Sequence, residues 1–203
     1  MKNKIRKLMT TRGLYPKTWK RSFRSGDFCY YNGLRATFEK ALPYLGGGRA
    51  LDIGAGFGNE TKELLKRGFE VVATDQNLEA VKYLKKLSRN KKLTVLNQSL
   101  PEFPEGKFDL IVCEMVLHFL EEQSVHSSIK KIQNATSSGG LNVISSYTES
   151  RSIRQDSRME GYFSYLLKSD ELNRLYKKWD ILYSELKVNM MGHKSIRFIA
   201  RKK

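Results

Sequence analysis

A glycine-rich loop between two short apolar runs constrains the fold of this chain more than any other feature. The loop motif "DIGAGFG" occupies residues 52–58, and its first two residues are also the last residues of the first run, which ends at Leu51–Ile53. The second run is "FEVVATD" at 69–75. Glycine allows the backbone to turn sharply and to approach a ligand closely. Two apolar runs joined by such a loop and a helix-length segment predict adjacent parallel strands of an α/β sheet.

The segments that follow alternate between strand-like and helix-like patterns. A helix is predicted over Thr61–Arg67, and apolar residues recur at helical spacing at Leu78, Val81, Leu84 and Leu87 and at Val125, Ile129 and Ile132. Further strands are predicted at "KLTVLNQ" (92–98), "FDLIVCEMV" (108–116) and "LNVISSY" (141–147). We expect a loop at 100–107, where prolines flank the segment, and a turn at Gly139–Gly140.

The last part of the sequence departs from this alternation. The runs "WDILYSELKV" (179–188) and "SIRFIARK" (195–202) are separated by the short segment "NMMGHK", which is typical of a hairpin. The sequence therefore predicts a doubly wound α/β fold. Its sheet is mostly parallel and seven-stranded, its last strand is antiparallel, and helices cover both faces.

Length and composition predict one globular domain at residues 27–203, preceded by a basic arm at 1–26. The chain has 203 residues, of which 40% are hydrophobic and 29% charged. No apolar run approaches the roughly 20 residues that span a bilayer, and no hydrophobic segment follows Met1, so we expect neither a membrane span nor a secretory signal. Cys29 and Cys113 lack metal-ligand spacing, which favours reduced thiols, a cytoplasmic location and no metal site.

The excess of positive charge is concentrated at the start of the chain. The net charge is +16, and no acidic residue precedes Asp27. Nine lysines and arginines lie in the first 24 residues: Lys2, Lys4, Arg6, Lys7, Arg12, Lys17, Lys20, Arg21 and Arg24. Such an arm can contact nucleic acid or another anionic surface weakly, although most charge runs are simply solvated.

The glycine spacing discriminates between ligands. The loop lacks both the G-x-G-x-x-G pattern of dinucleotide sites and the G-x-x-x-x-G-K-[ST] pattern of phosphate loops. Asp52, two residues before Gly54, would repel a phosphate but suits an ammonium group. Asp75 ends the second strand, where a carboxylate can accept hydrogen bonds from ribose hydroxyls. An ammonium group and a ribose without a required phosphate indicate S-adenosylmethionine.

The motifs "LDIGAGFG", "VVATDQN" and "FDLIVCEMVLHFL" resemble those of the class I S-adenosylmethionine-dependent methyltransferases. This resemblance implies methyl transfer that leaves S-adenosylhomocysteine as product. It also implies a set of cofactor-binding residues, which are Asp52, Gly54, Ala55, Gly56, Asp75, Gln76, Gln98, Ser99, Leu100, Cys113 and His118. A nucleophilic role for Cys113 would be the alternative, but the Pro-Cys pair of pyrimidine methyltransferases is absent from the sequence, which favours a small buried side chain.

The C-terminal segments "FSYLLKSDELNRLYKKWDILYSELKV" and "IRFIARKK" are similar to those of the tellurite-resistance methyltransferase family. That family implies a small acceptor, such as a tellurite- or selenite-like oxyanion or a thiol. The sequence shows no obvious general base, and such acceptors need cations more than a base. The implied acceptor-binding residues are His193 and Arg197; the other available cations are Arg151, Arg154, Arg158 and Lys194. His126 is expected on an exposed helix face.

Two alternatives remain open at this point. The basic arm would suit an RNA methyltransferase, although the Pro-Pro-aromatic motif of enzymes that modify exocyclic base amines is absent from the sequence. A non-catalytic module that binds S-adenosylmethionine would have the same cofactor motifs.

Overall fold

The computed structural model describes residues 35–87, 91–155, 164–190 and 192–203. The basic arm, Cys29 and Arg158 lie outside the described residues. Seven strands form one sheet: β1 (Arg49–Ile53), β2 (Glu70–Thr74), β3 (Leu93–Leu96), β4 (Phe108–Glu114), β5 (Thr136–Tyr147), β6 (Asp180–Val188) and β7 (Lys194–Arg201). Within the described residues the α-helices are α1 (Ala36–Ala41), α2 (Asn59–Lys66), α3 (Leu78–Leu87), α4 (Glu122–Ala135), α5 (Arg151–Gln155) and α6 (Glu171–Leu175).

The strand order in the sheet is β3-β2-β1-β4-β5-β7-β6. The first five strands in this order are parallel to one another, whereas β7 runs antiparallel to both β5 and β6. The predicted fold class is therefore confirmed. The chain proceeds outward from β1 to β3 and then returns to place β4 on the other side of β1, so a crevice opens at the carboxyl ends of β1 and β4.

Both faces of the sheet are buried, as the near-continuous apolar runs predict. On one face, Phe38 of α1, Leu64 of α2 and Leu84 of α3 pack against alternate residues of the inner strands. On the other face, α4 and α6 cover the remaining apolar positions, and Ile129 and Leu172 are almost fully buried. Alternate residues of one strand therefore belong to different cores, and this alternation fixes which side chains of β4 face α1.

The predicted turn at Gly139–Gly140 is wrong, because both glycines lie within β5. Gly139 has φ +75°, and the pairing of β4 with β5 shifts register between Phe108 and Leu110. A glycine with positive φ serves a strand irregularity as readily as a turn. The glycine pair therefore bends the strand without ending it.

Candidate functional site

A cavity of about 680 Å³ opens at the carboxyl ends of β1, β2 and β4. The reversal of strand order around β1 positions it, since the loops that leave β1 and β4 diverge there. Six of the residues predicted to bind a cofactor line it: Gly54, Asp75, Gln76, Gln98, Ser99 and Leu100. They come from the loops after β1, β2 and β3, which are separate in sequence, so the fold brings them together.

Gly54 turns the chain out of β1 at the floor of this cavity. Its φ is +68°, a left-handed backbone conformation that favours glycine. A Cβ atom at this position would lie 2.4 Å from Cγ2 of Val116, which also lines the cavity. Gly54 therefore serves both the turn and the close approach of the loop after β4.

Asp75 lies at the end of β2, with its carboxylate held by two backbone amides. The N–H of Gly56 donates to Oδ2 at 2.9 Å, and the N–H of Asn77 donates to Oδ1 at 2.8 Å. Burial raises the pKa of Asp75, and these two hydrogen bonds oppose the rise. Because each carboxylate oxygen has two acceptor positions, these two contacts leave one position on each oxygen open among the described residues.

Gln98 adds an unused acceptor to the same wall. Its Oε1 atom is buried and makes no hydrogen bond to any described residue. A buried amide oxygen without a donor is unfavourable unless a ligand supplies one. Oε1 of Gln98 and the carboxylate of Asp75 thus offer acceptors for the amine and hydroxyl groups of an adenosine.

Asp52 lies behind the loop and does not line the cavity. Its Oδ2 accepts a hydrogen bond of 2.5 Å from Thr61 Oγ1, and the side chain is almost fully buried. Burial raises the pKa of Asp52 to about 7, and the nearby charge of Glu60 adds to the rise. Its role in binding an ammonium group stays a prediction.

Four more predicted cofactor residues are placed around the loop or deep in the core. Ala55 is buried, and Gly56 approaches the cavity through its bond to Asp75. Cys113 is fully buried in the core on the α4 side, where burial raises the pKa of its thiol. His118 is also buried, with Nδ1 3.3 Å from Ser146 Oγ. Burial, assisted by the charge of Arg35, lowers the pKa of His118 to about 3.

The predicted acceptor residues are not among the described residues that line the cavity. His193 is buried, and its ring centroid is 6.3 Å from that of Tyr147. Arg197 is in β7, paired in register with Ser145 on one side and Glu185 on the other, and it lies close to Tyr183. The role of His193 and Arg197 in acceptor binding stays a prediction.

His126 lies on the exposed side of α4 as expected, but it is not simply solvated. Its Nε2 is 2.6 Å from Oε1 of Glu171, which is buried at the start of α6. Tyr165 also donates to this carboxylate. His126 therefore links α4 to α6 and does not line the cavity.

Sequence reasoning missed several residues of the cavity wall. They are Arg35, Asn77, Leu78, Glu79, Lys82, Met115, Val116, Phe119 and Leu120. Arg35 precedes the first predicted strand and has no motif around it. The residues after Glu114 could have been predicted to line a site, because the segment that follows β4 stays apolar beyond the end of the strand. Their contribution depends on how the loop folds back over Gly54.

Two further searches concern only the part of the chain that the structure describes. Within it, no three or more His, Cys, Asp or Glu side chains are grouped so that they could hold a metal ion. No helix in these segments has the length and apolar character needed to cross a bilayer.

Comparison with known protein sequences identifies relatives. Residues 31–195 match the family described as "Tellurite resistance protein TehB". A relative from Haemophilus influenzae (strain 10810), named "Probable S-adenosyl-L-methionine-dependent methyltransferase TehB", is 29% identical over 141 residues, which are 68% of this chain and 48% of the relative. The chain thus spans about half the length of the curated relatives it matches.

Solved structures support the fold. The crystal structure of TehB from Haemophilus influenzae superposes with a TM-score of 0.70 at 24% identity, covering 87% of this chain and 66% of that chain. The 1,6-didemethyltoxoflavin-N1-methyltransferase of Burkholderia thailandensis, solved with 1,6-didemethyltoxoflavin and S-adenosylhomocysteine, gives 0.69 at 17% identity, covering 94% and 88%. At such identities the likeness concerns the fold.

Proposed function

The chain belongs to the TehB family of tellurite resistance proteins, and from that membership we propose that it transfers a methyl group from S-adenosylmethionine to a small acceptor. The observation that carries the proposal is that Gly54, Asp75 and Gln98 line the same cavity. Their geometry suits an adenosine, and the sequence lacks both the phosphate-loop and the dinucleotide glycine patterns.

The residues present fit the proposed cofactor. Asp75 would hold both ribose hydroxyls with the acceptor positions that Gly56 and Asn77 leave open. Oε1 of Gln98, which is buried without a donor among the described residues, would accept from the adenine amine. Gly54 would let the backbone pass close beneath the ligand. When bound, the cofactor supplies a methyl group activated by a positively charged sulfur.

The protein's share of the chemistry is to hold two reactants at attack distance and to exclude water. Alignment of reacting groups alone can supply several kcal/mol, about 7 or more in favourable systems. Leu100, Phe119 and Leu120 give the cavity an apolar wall, which strengthens electrostatic interactions with a bound charge. A simple positioning mechanism of this kind suits a small, reactive acceptor.

The family supports an oxyanion of tellurium or selenium, or a thiol, as the acceptor. Two cationic side chains, those of Arg35 and Lys82, line the described part of the cavity. The positive charge of Arg35 acts on Glu114 at the end of β4, and Lys82 Nζ is 3.3 Å from Oε1 of Glu79. The carboxylates of Asp75, Glu79 and Glu114 line the same cavity, so these two cations do not by themselves make it an anion site.

A two-part experiment tests the proposed function. S-adenosylhomocysteine should raise the melting temperature of the full-length protein, because a ligand that binds only the folded state stabilises it, whereas NAD and ATP should not. Labelled S-adenosylmethionine should then transfer its methyl group to selenite, tellurite or 2-mercaptoethanol and not to total RNA. A thermal shift with NAD alone would contradict the cofactor assignment, and label in RNA would contradict the acceptor class.

A further inference from the structure

Glu114 is a buried acid with an unused oxygen at the cavity wall. It ends β4 on the face that α1 covers, and only 7% of its surface is exposed. Ser145 Oγ donates a hydrogen bond of 2.5 Å to Oε2, whereas Oε1 makes no hydrogen bond within the described part of the chain. A buried carboxylate oxygen without a donor is costly. A ligand that brings a donor would remove this cost.

The backbone beside Glu114 is also unusual. Met115, the next residue, has φ +59°, which is a left-handed conformation rarely adopted by a side chain of this size. The N–H of Met115 donates to the carbonyl oxygen of Ser145 at 2.8 Å. Ser145 thus holds the turn through its backbone and the carboxylate through its hydroxyl. Strained residues of this kind cluster where a side chain must be aimed at a ligand.

Glu114 lies at the opposite side of Gly54 from Asp75. The strand order places β1 between β2 and β4, so the strand ends that carry the two acids are two spacings apart, roughly 10 Å. If Asp75 holds the ribose, the remainder of the cofactor extends past Gly54 towards β4. Glu114 then borders the space where a methyl acceptor must enter.

The geometry points to Glu114 as the base that binds and deprotonates the acceptor, so the acceptor carries a proton on its nucleophilic atom, as a thiol or an amine does. This inference rests on the proposed function. Oε1 accepts the proton of the S–H or N–H group, while the electron pair left on the nucleophile forms the bond to the methyl carbon and the carbon–sulfur bond breaks towards sulfur. Glu114 then releases the proton to water, so each methyl transfer releases one proton.

The charges around Glu114 agree with a proton-bearing acceptor. Burial raises the pKa of Glu114 to about 7, and the charge of Glu60 adds to the rise. The Ser145 hydrogen bond, the positive charge of Arg35 and the nearby Thr37 hydroxyl oppose it. A carboxyl group with a pKa near neutrality is a suitable general base, whereas its charged form would repel an oxyanion from this end of the cavity.

The test compares full-length wild type with Glu114→Gln, which keeps the volume and an acceptor for Ser145, and with Glu39→Gln, a matched change at an exposed site on α1. The probes are 2-mercaptoethanol and sodium selenite with labelled S-adenosylmethionine. We expect Glu114→Gln to slow thiol methylation about 100-fold or more. Selenite methylation should slow far less, because selenium offers a lone pair without a proton, and calorimetry should still detect S-adenosylhomocysteine binding. Glu39→Gln should match wild type in every assay.

A second variant keeps the test valid if Glu114→Gln folds poorly. In wild type the rate of thiol methylation should rise with pH through about 7, as Glu114 ionises. Ser145→Ala removes a hydrogen bond that stabilises the ionised form, so this midpoint should move to higher pH. In Glu114→Gln this midpoint near pH 7 should disappear, and the rate should follow only the ionisation of the thiol itself at higher pH.

Four results would overturn the inference while leaving the proposed function in place. Thiol methylation at the wild-type rate in Glu114→Gln would show that Glu114 has only a structural role. An unmoved midpoint in the pH profile of Ser145→Ala would show that Glu114 is not the group whose ionisation controls the rate. Loss of S-adenosylhomocysteine binding in Glu114→Gln would assign this carboxylate to the cofactor's ammonium group. Wild-type methylation of selenite but not of the thiol would reverse the acceptor class. Wild-type protein that binds S-adenosylhomocysteine but methylates neither probe would instead refute the proposed function, and this inference with it.

Discussion

The backbone N–H of Gly56 donates a hydrogen bond of 2.9 Å to Oδ2 of Asp75, and this contact joins the loop after β1 to the end of β2. The other oxygen of Asp75 is held by the N–H of Asn77 at 2.8 Å. The carboxylate plane is therefore fixed before any ligand arrives. A ligand that binds Asp75 meets a preorganised group and loses little free energy in ordering it.

Asp75→Asn should weaken S-adenosylhomocysteine binding by about 1 to 3 kcal/mol. The carboxamide retains one acceptor oxygen, so its NH₂ group must face the N–H of Gly56 or that of Asn77. Calorimetry on wild type and variant measures the change. Asp170→Asn removes a carboxylate that is 67% exposed, and it should leave the affinity unaltered. Equal affinities for wild type and Asp75→Asn would exclude Asp75 from the binding site.

Gly54→Ala should lower the free energy of unfolding by more than the roughly 1 to 2 kcal/mol expected from a left-handed alanine alone. The added Cβ would also collide with Val116, 2.4 Å away. Gly68→Ala is the matched control, because Gly68 has φ +87° and open space around it. Denaturant unfolding should therefore show a larger loss at Gly54.

The double variant Gly54→Ala/Val116→Ala separates the two causes. Removing the Val116 methyl groups relieves the collision but not the backbone strain, so the cost of adding alanine at residue 54 should be smaller in a Val116→Ala background. An identical cost in both backgrounds would mean that Val116 does not restrict this position.

Asp52→Asn should change the pH dependence of stability. The pKa of Asp52 is raised from 3.8 to about 7 in the folded protein, so the folded state binds a proton more tightly than the unfolded state. This contribution is present below pH 4 and is lost as the pH rises to 7. At pH 8 the neutral variant should therefore gain at least about 1 kcal/mol relative to wild type, compared with their difference at pH 4.

Urea unfolding of both proteins at several pH values measures this change. Glu63→Gln removes a partly exposed carboxylate from the surface of α2 and serves as control. If the wild type and Asp52→Asn curves stay parallel between pH 4 and 8, the carboxylate of Asp52 ionises as it does in the unfolded chain.

Deleting residues 1–24 should abolish weak RNA binding without abolishing methylation of a small acceptor. The nine cations of this segment would displace counterions from RNA, so binding by the full-length chain should fall steeply with added salt. Filter binding at two salt concentrations, with labelled S-adenosylmethionine present, measures binding and methylation together. A labelled RNA product that requires the segment would favour the RNA methyltransferase alternative.

The sheet was largely predictable because buried strands leave a direct record in the sequence. "FDLIVCEMV" and "FEVVATD" contain β4 and β2 almost to the residue, since strands covered on both faces need apolar side chains at successive positions. The turn predicted at Gly139–Gly140 was wrong because glycines with positive φ occur both in turns and in bulged strands. The short helices α1, α5 and α6 lack a long apolar period and were not predicted.

The candidate site likewise contains residues that could be predicted from the sequence and residues that could not. Asp75 and Gly54 could be placed from spacing alone, because each follows directly from the end of a strand. Glu114 could be placed at the end of β4. Which of its oxygens is left without a donor could not be predicted, because the other oxygen is held by Ser145, 31 residues further along the chain. Arg35 joins the wall only through tertiary packing, and no local pattern around it indicates a site.

The insertion of β7 between β5 and β6 has a consequence for synthesis on the ribosome. β6 is made before β7, yet in the sheet it is joined to the other strands through β7. The five strands up to β5 can assemble first, and β5 then presents an open edge to other nascent chains. A truncation between Val188 and Lys194 would make that exposure permanent, because β6 would have lost the strand that attaches it. Protection by chaperones is therefore most needed in the interval between emergence of β5 and emergence of β7.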